Sequence, residues 1–129
     1  MENKKILMID DDKYIIEELG FFIKKRGGHF FFKLFNEGDE YETVEYIEKL
    51  NPDIIILDYN LSYKIKGIDI MKMLSDENKK RVIGFSSLEN LKDTFLESGA
   101  SGFVWKGEGK GEKLTYLLEE EFKKINPNP

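Results

Sequence analysis

Short apolar runs alternate with longer amphipathic stretches along this chain, and the alternation predicts the architecture. Ile6-Leu7-Met8-Ile9 reads as a buried strand, and Tyr14 to Lys25 carries Ile15, Ile16, Leu19, Phe22 and Ile23 at helical spacing before Gly27-Gly28 closes it. Phe30 to Phe35 reads as a second strand. Glu40 to Leu50 reads as a helix with Val44, Ile47 and Leu50 on one face, ended by Asn51-Pro52. Ile54-Ile55-Ile56-Leu57 is apolar on both faces, as a central parallel strand must be. Ile68 to Leu74, Leu88 to Glu97 and Glu112 to Ile125 supply three more helices, with strands at Val82 to Phe85 and Phe103 to Trp105. Five strand-helix units in succession predict an α/β fold: a doubly wound parallel sheet with helices on both faces, because right-handed crossovers place them there. One domain over residues 3–125 is expected, followed by a flexible tail at 126–129, whose two prolines cannot extend the last helix.

The polar residues that end the strands change the picture from fold to chemistry. The first strand ends in Asp10-Asp11-Asp12, the third in Asp58, the fourth in Ser86-Ser87 and the fifth in Lys106. In a parallel sheet these ends lie along one edge, where ligands bind if the strand order reverses. Carboxylates gathered there repel one another, and a cation is the simple remedy. Oxygen donors alone suit magnesium better than zinc. With an amine at Lys106 and a hydroxyl at Ser86, the edge offers a carboxylate nucleophile, a cation site and donors for a transferring phosphoryl group. Asp12 also reads as the N-cap of the first helix, and Ser87 offers the same hydroxyl as Ser86 one residue on. His29 reads as a turn residue without chemistry. Phe103 and Trp105 are expected on opposite faces of the last strand. Phe30-Phe31-Phe32 reads as core, with any exposed member available to a partner.

Composition narrows the classes. The 129 residues are 40% hydrophobic, enough for a real core, and the net charge of −5, with 25 acids and 20 bases interspersed, argues against a broad grip on nucleic acid. There is no cysteine, which removes disulfides and thiolate metal sites. No signal peptide or membrane-spanning run is visible, so a cytoplasmic location is the expectation.

Four segments together resemble the receiver domain of bacterial two-component response regulators: residues 6–12, 52–61, 82–87 and 99–106. The resemblance implies a flavodoxin-like sheet of order 2-1-3-4-5 and phosphorylation on Asp58. It implies Mg²⁺, with Mn²⁺ as a substitute, held by Asp10, Asp11, Asp58 and the backbone carbonyl of Asn60. Lys106 would pair with a phosphoryl oxygen, and Ser86 and Phe103 would act as the switch pair. The signalling face would be the fourth helix, fifth strand and fifth helix. A sensor histidine kinase or histidine phosphotransfer protein would be the phosphoryl source, with a protein target downstream and the chain a monomer that can dimerise on phosphorylation. The chain would be no enzyme beyond assisting its own phosphorylation and dephosphorylation, and no output module is expected after Ile125. Two departures stand out: Ser62 where the family usually has proline, before a longer loop, and Gly107 where proline commonly follows the lysine.

Two rival readings follow from the same residues. A degenerate receiver would keep the fold and bind a partner without phosphate. A flavodoxin-like cofactor-binding protein would need a Ser-, Thr- or Gly-rich loop after the first strand, where Asp10-Asp11-Asp12 would instead repel a phosphate. A phosphatase with an aspartate nucleophile and a second acid two residues on finds Asn60 in that place.

Overall fold

A computed structural model describes residues 1–125; the tail expected at 126–129 lies outside the described residues. Five strands, β1 (Lys5–Asp10), β2 (His29–Leu34), β3 (Ile54–Asp58), β4 (Val82–Ser86) and β5 (Gly102–Trp105), form one parallel sheet in the order β2-β1-β3-β4-β5. Six α-helices connect or flank them: α1 (Lys13–Lys25), α2 (Glu40–Leu50), α3 (Gly67–Met73), α4 (Asp76–Lys79), α5 (Lys92–Glu97) and α6 (Gly111–Ile125).

The period of two along the strands splits the core into two layers. Ile6 and Met8 of β1, with Ile54 and Ile56 of β3, meet Ile16, Leu19 and Ile23 of α1 and Leu114, Leu118 and Phe122 of α6. Leu7, Ile9, Ile55 and Leu57 point the other way, onto Val44 and Ile47 of α2, Ile70 and Met71 of α3 and Phe95 of α5. Every residue of β3 is buried, which explains its unbroken apolar run.

Helix ends follow their signals. The Asp12 side chain caps α1 by accepting from the Tyr14 N–H at 2.9 Å. Asn51 closes α2 in the left-handed conformation, φ 51°. The structure departs from the sequence reading at four places. A one-turn helix, α4, is present because Ser75 Oγ accepts from the Asn78 N–H; four residues are too few to show a helical period. The helix expected from Leu88 begins as a 3₁₀ turn, Glu89–Leu91, and becomes α5 only at Lys92. His29 opens β2 instead of sitting in the turn. Phe103 and Trp105 are two residues apart, so they share a face of β5, while Val104 points to the α6 side. No helix among the described residues is long and apolar enough to cross a membrane.

Candidate functional site

The pairing of β1 with β3 runs Ile6 to Ile54 through Ile9 to Leu57, so the next residues in register are Asp10 and Asp58. Asp11 stands one residue past the end of β1. One carboxylate oxygen from each of Asp10, Asp11 and Asp58 lies within 4.8 Å of the other two. Asp10 is fully buried and Asp58 is 4% exposed, whereas Asp11 opens to solvent. The crossover between β1 and β3 thus joins groups 48 residues apart.

Lys106 completes the cluster from the far side of the sheet. It follows β5 in a 3₁₀ turn, Lys106–Glu108, and its Nζ donates to Asp10 Oδ2 at 3.1 Å and to Asp58 Oδ1 at 3.0 Å. The ammonium also sits 4.9 Å from the centre of the Phe85 ring. Asp10 keeps its other oxygen for the Asp12 N–H, at 3.0 Å. One ammonium therefore faces three carboxylates.

That imbalance is visible in the acidities. Burial, and then the neighbouring Asp10 carboxylate, push Asp58 up to about 8 against the partial relief that Lys106 gives. Burial raises Asp10 too, again offset only in part by Lys106. Burial works to lower the Lys106 ammonium, but Asp58 and Asp10 outweigh it and hold its pKa above the ordinary value. An all-oxygen donor set, short of positive charge and open at Asp11, fits a hard divalent cation.

The surrounding loops hold this arrangement close. A Cβ on Gly67 would lie 2.3 Å from the Asp58 carbonyl oxygen, so only glycine lets the start of α3 approach the backbone of the reactive strand. The Gly67 N–H donates to the Tyr59 carbonyl at 2.6 Å, and Asn60 and Lys66 form an antiparallel bridge. Ser62 replaces a proline usefully here: its N–H donates to Ile65 O and its Oγ accepts from Ile65 N–H, both at 3.0 Å. Proline offers neither group. Gly107 also has a local reason, since a Cβ there would meet the Trp105 indole at 2.3 Å. That indole donates to the Ser87 carbonyl at 3.0 Å, tying β5 to the loop after β4. The sequence reading assigned no part to Gly67 or to this Trp105 contact.

Neither Ser86 nor Phe103 is hydrogen-bonded to the cluster of four. Ser86 is fully buried at the end of β4, and its Oγ accepts from the Leu88 N–H at 3.0 Å. Phe103 is half-buried and packs on Phe95 with ring centres 5.7 Å apart, while Tyr59, next to Asp58, packs edge-on against the same Phe95 ring at 6.3 Å. A row of three aromatic rings thus links the acidic edge to β5.

Comparison with known proteins agrees with this fold. The transcriptional regulatory protein DegU of Brevibacillus brevis is 30% identical over 110 residues, covering 81% of this chain and 45% of DegU. The alkaline phosphatase synthesis transcriptional regulatory protein PhoP of Bacillus subtilis is 32% identical over 75 residues, 58% of this chain and 29% of PhoP. The chain spans less than half the length of either relative. The receiver domain of the Francisella response regulator 1452 shares the fold with a TM-score of 0.76 at 26% identity, over 95% of this chain and 98% of that one. The family profile described as the response regulator receiver domain matches residues 6–118. With that match over most of its length, and with its strand order, the chain belongs to the response regulator receiver domain family of two-component systems.

Proposed function

We propose that this chain is the phosphoacceptor switch of a two-component system or phosphorelay, taking its phosphoryl group on Asp58 in a reaction that depends on a divalent cation. The observation that carries the reading is the meeting of Asp10, Asp11, Asp58 and Lys106 at one sheet edge, where burial raises the pKa of both Asp58 and Asp10.

Mg²⁺, or Mn²⁺ in its place, would be held by Asp10, Asp11, Asp58 and the Asn60 carbonyl, supplying the positive charge that the cluster lacks. An Asp58 oxygen then attacks the phosphorus of a phosphohistidine on a sensor kinase or phosphotransfer protein. The P–N bond breaks, a P–O bond forms, and the imidazole leaves neutral, keeping the proton that the phosphohistidine already carried on its other ring nitrogen. Lys106, already 3.0 Å from Asp58 Oδ1, turns to a phosphoryl oxygen as its partner carboxylate becomes an acyl phosphate. Ser86 uses its oxygen to accept from Leu88 and retains its own O–H to donate to the phosphoryl group. That new bond draws on the loop after β4, and the Tyr59-Phe95-Phe103 row carries the change to the α5-β5-α6 face. Hydrolysis of the acyl phosphate at the same site resets the switch, and a downstream protein reads the face.

Labelled acetyl phosphate with Mg²⁺ tests this reading. Wild-type chain takes up acid-labile label and Asp58→Asn takes up none; label in the variant at wild-type level removes Asp58 from the role. A wild-type chain that takes up none favours the phosphate-independent scaffold.

A further inference from the structure

The aromatic cluster of β2 is left unused by the acidic site. Phe30, Phe32 and Leu34 alternate onto the α1 side of this edge strand, beside Ile16, Gly20 and Phe21, and form a groove of about 540 Å³. A Cβ on Gly20 would lie 2.6 Å from the Phe30 ring, so the glycine lets that ring lie flat against α1. Phe30 and Phe32 stack with centres 6.3 Å apart, yet Phe32 remains 54% exposed and Phe21 57%. Exposed aromatic rings side by side on an edge strand are a surface awaiting a partner.

Charge says which partner. Lys13, Lys24 and Lys25 line the groove against one acid, Glu17, in a chain whose net charge is −5. Among the described residues none of these three lysines forms an ion pair. On the opposite face of the same strand Lys33 is paired with both Asp39 and Glu42. The groove lies on the sheet face covered by α1 and α6, at the β2 edge, where a docked helix would extend that helical layer. A twofold contact between two copies would bring the lysine-rich walls together, which like charge opposes.

We propose that the groove between α1 and β2 docks an acidic amphipathic helix of a partner protein, with its apolar stripe on Phe21, Phe30 and Phe32 and its carboxylates toward Lys13, Lys24 and Lys25. None of the acidic-site residues lines this groove, so the docking is independent of phosphorylation and persists in Asp58→Asn.

The test uses the whole chain, isotope-labelled for amide NMR, and two synthetic amphipathic helices of equal length with leucine on one face and either glutamate or lysine on the other. The glutamate peptide is expected to shift amides of residues 13–25 and 29–34. Its affinity falls about tenfold or more in Lys13→Glu/Lys24→Glu and in Phe32→Ser, and declines with added salt. The substituted side chains are exposed, and thermal melting verifies that both variants fold. Equal binding of the lysine peptide, shifts confined to other elements, or no binding overturns the proposal. So does a wild-type dimer in sedimentation that Phe32→Ser abolishes, which would make a second copy the occupant.

Discussion

At the scale of single residues, the site is a problem of too much negative charge in too little water. Folded Asp58 has its pKa raised from 3.8 to about 8, and Asp10 is raised as well, so the folded chain holds protons that the unfolded chain releases. Stability therefore falls as pH rises through the window from about 4 to about 8. Lys106 is raised above 10.5, and its favourable contribution is lost only above that value, outside this window. A cation that replaces those protons should stabilise the chain more at the upper end. Thermal melts with and without Mg²⁺ are expected to show a larger increase in Tm near pH 8 than near pH 5; an equal increase would contradict the shared site. Without metal, Asp58→Asn is expected to raise stability by about 0.5–2 kcal/mol, as substitutions that relieve a strained functional site do. Lys106→Ala is expected to lower it by about 1–3 kcal/mol near pH 8, because two buried carboxylates lose their common donor. Denaturant titrations of the two variants verify both signs. The acids and the lysine were legible in the sequence as residues that end strands. Their mutual contact was not, since Lys106 lies 96 residues from Asp10 and 48 from Asp58, and only strand order brings them together.

At the scale of elements, the close approach of α3 to β3 decides how firmly Asp58 is held. Gly67→Ala places a methyl group against the Asp58 carbonyl oxygen, which must move or push the helix away. The expected cost is about 1–3 kcal/mol in denaturant unfolding, accompanied by slower phosphoryl uptake. Unchanged values for both would show that the loop of residues 59–66 yields easily. The longer loop after Ser62 was in view, but the carbonyl that Gly67 meets belongs to another element and leaves no mark in local pattern. Ser62 and Gly107 depart from the family pattern, and nothing in the structure reverses that. Each has a local partner, the backbone of Ile65 and the indole of Trp105. The strands and long helices were readable because burial on one or both faces imposes a period on the residues. α4 and the 3₁₀ start before α5 were not, because a single turn is decided by one cap or one bend. The misplacing of Phe103 and Trp105 on opposite faces came from treating residues two apart as neighbours; their common face is what allows one to join the Phe95 row and the other the Ser87 carbonyl.

At the scale of the whole molecule, the order β2-β1-β3-β4-β5 does two separate things. It places β1 beside β3, so the acids meet at the reversal of strand order, and it leaves β2 and β5 as the two edges. The edge at β5 carries Phe103 and the proposed switch face, and the edge at β2 carries the aromatic groove. Phosphorylation is expected to change amide hydrogen exchange along α5, β5 and α6 while β1 and β3 stay protected, since those two strands are buried at the centre of the sheet. The most direct measurement is intact mass followed by peptide mapping after incubation with acetyl phosphate and Mg²⁺, in parallel with a sample containing chelator. The account predicts a gain of one phosphoryl mass, located on the peptide that holds Asp58 and absent with chelator. No gain, a gain on another peptide, or a gain indifferent to chelator would contradict it.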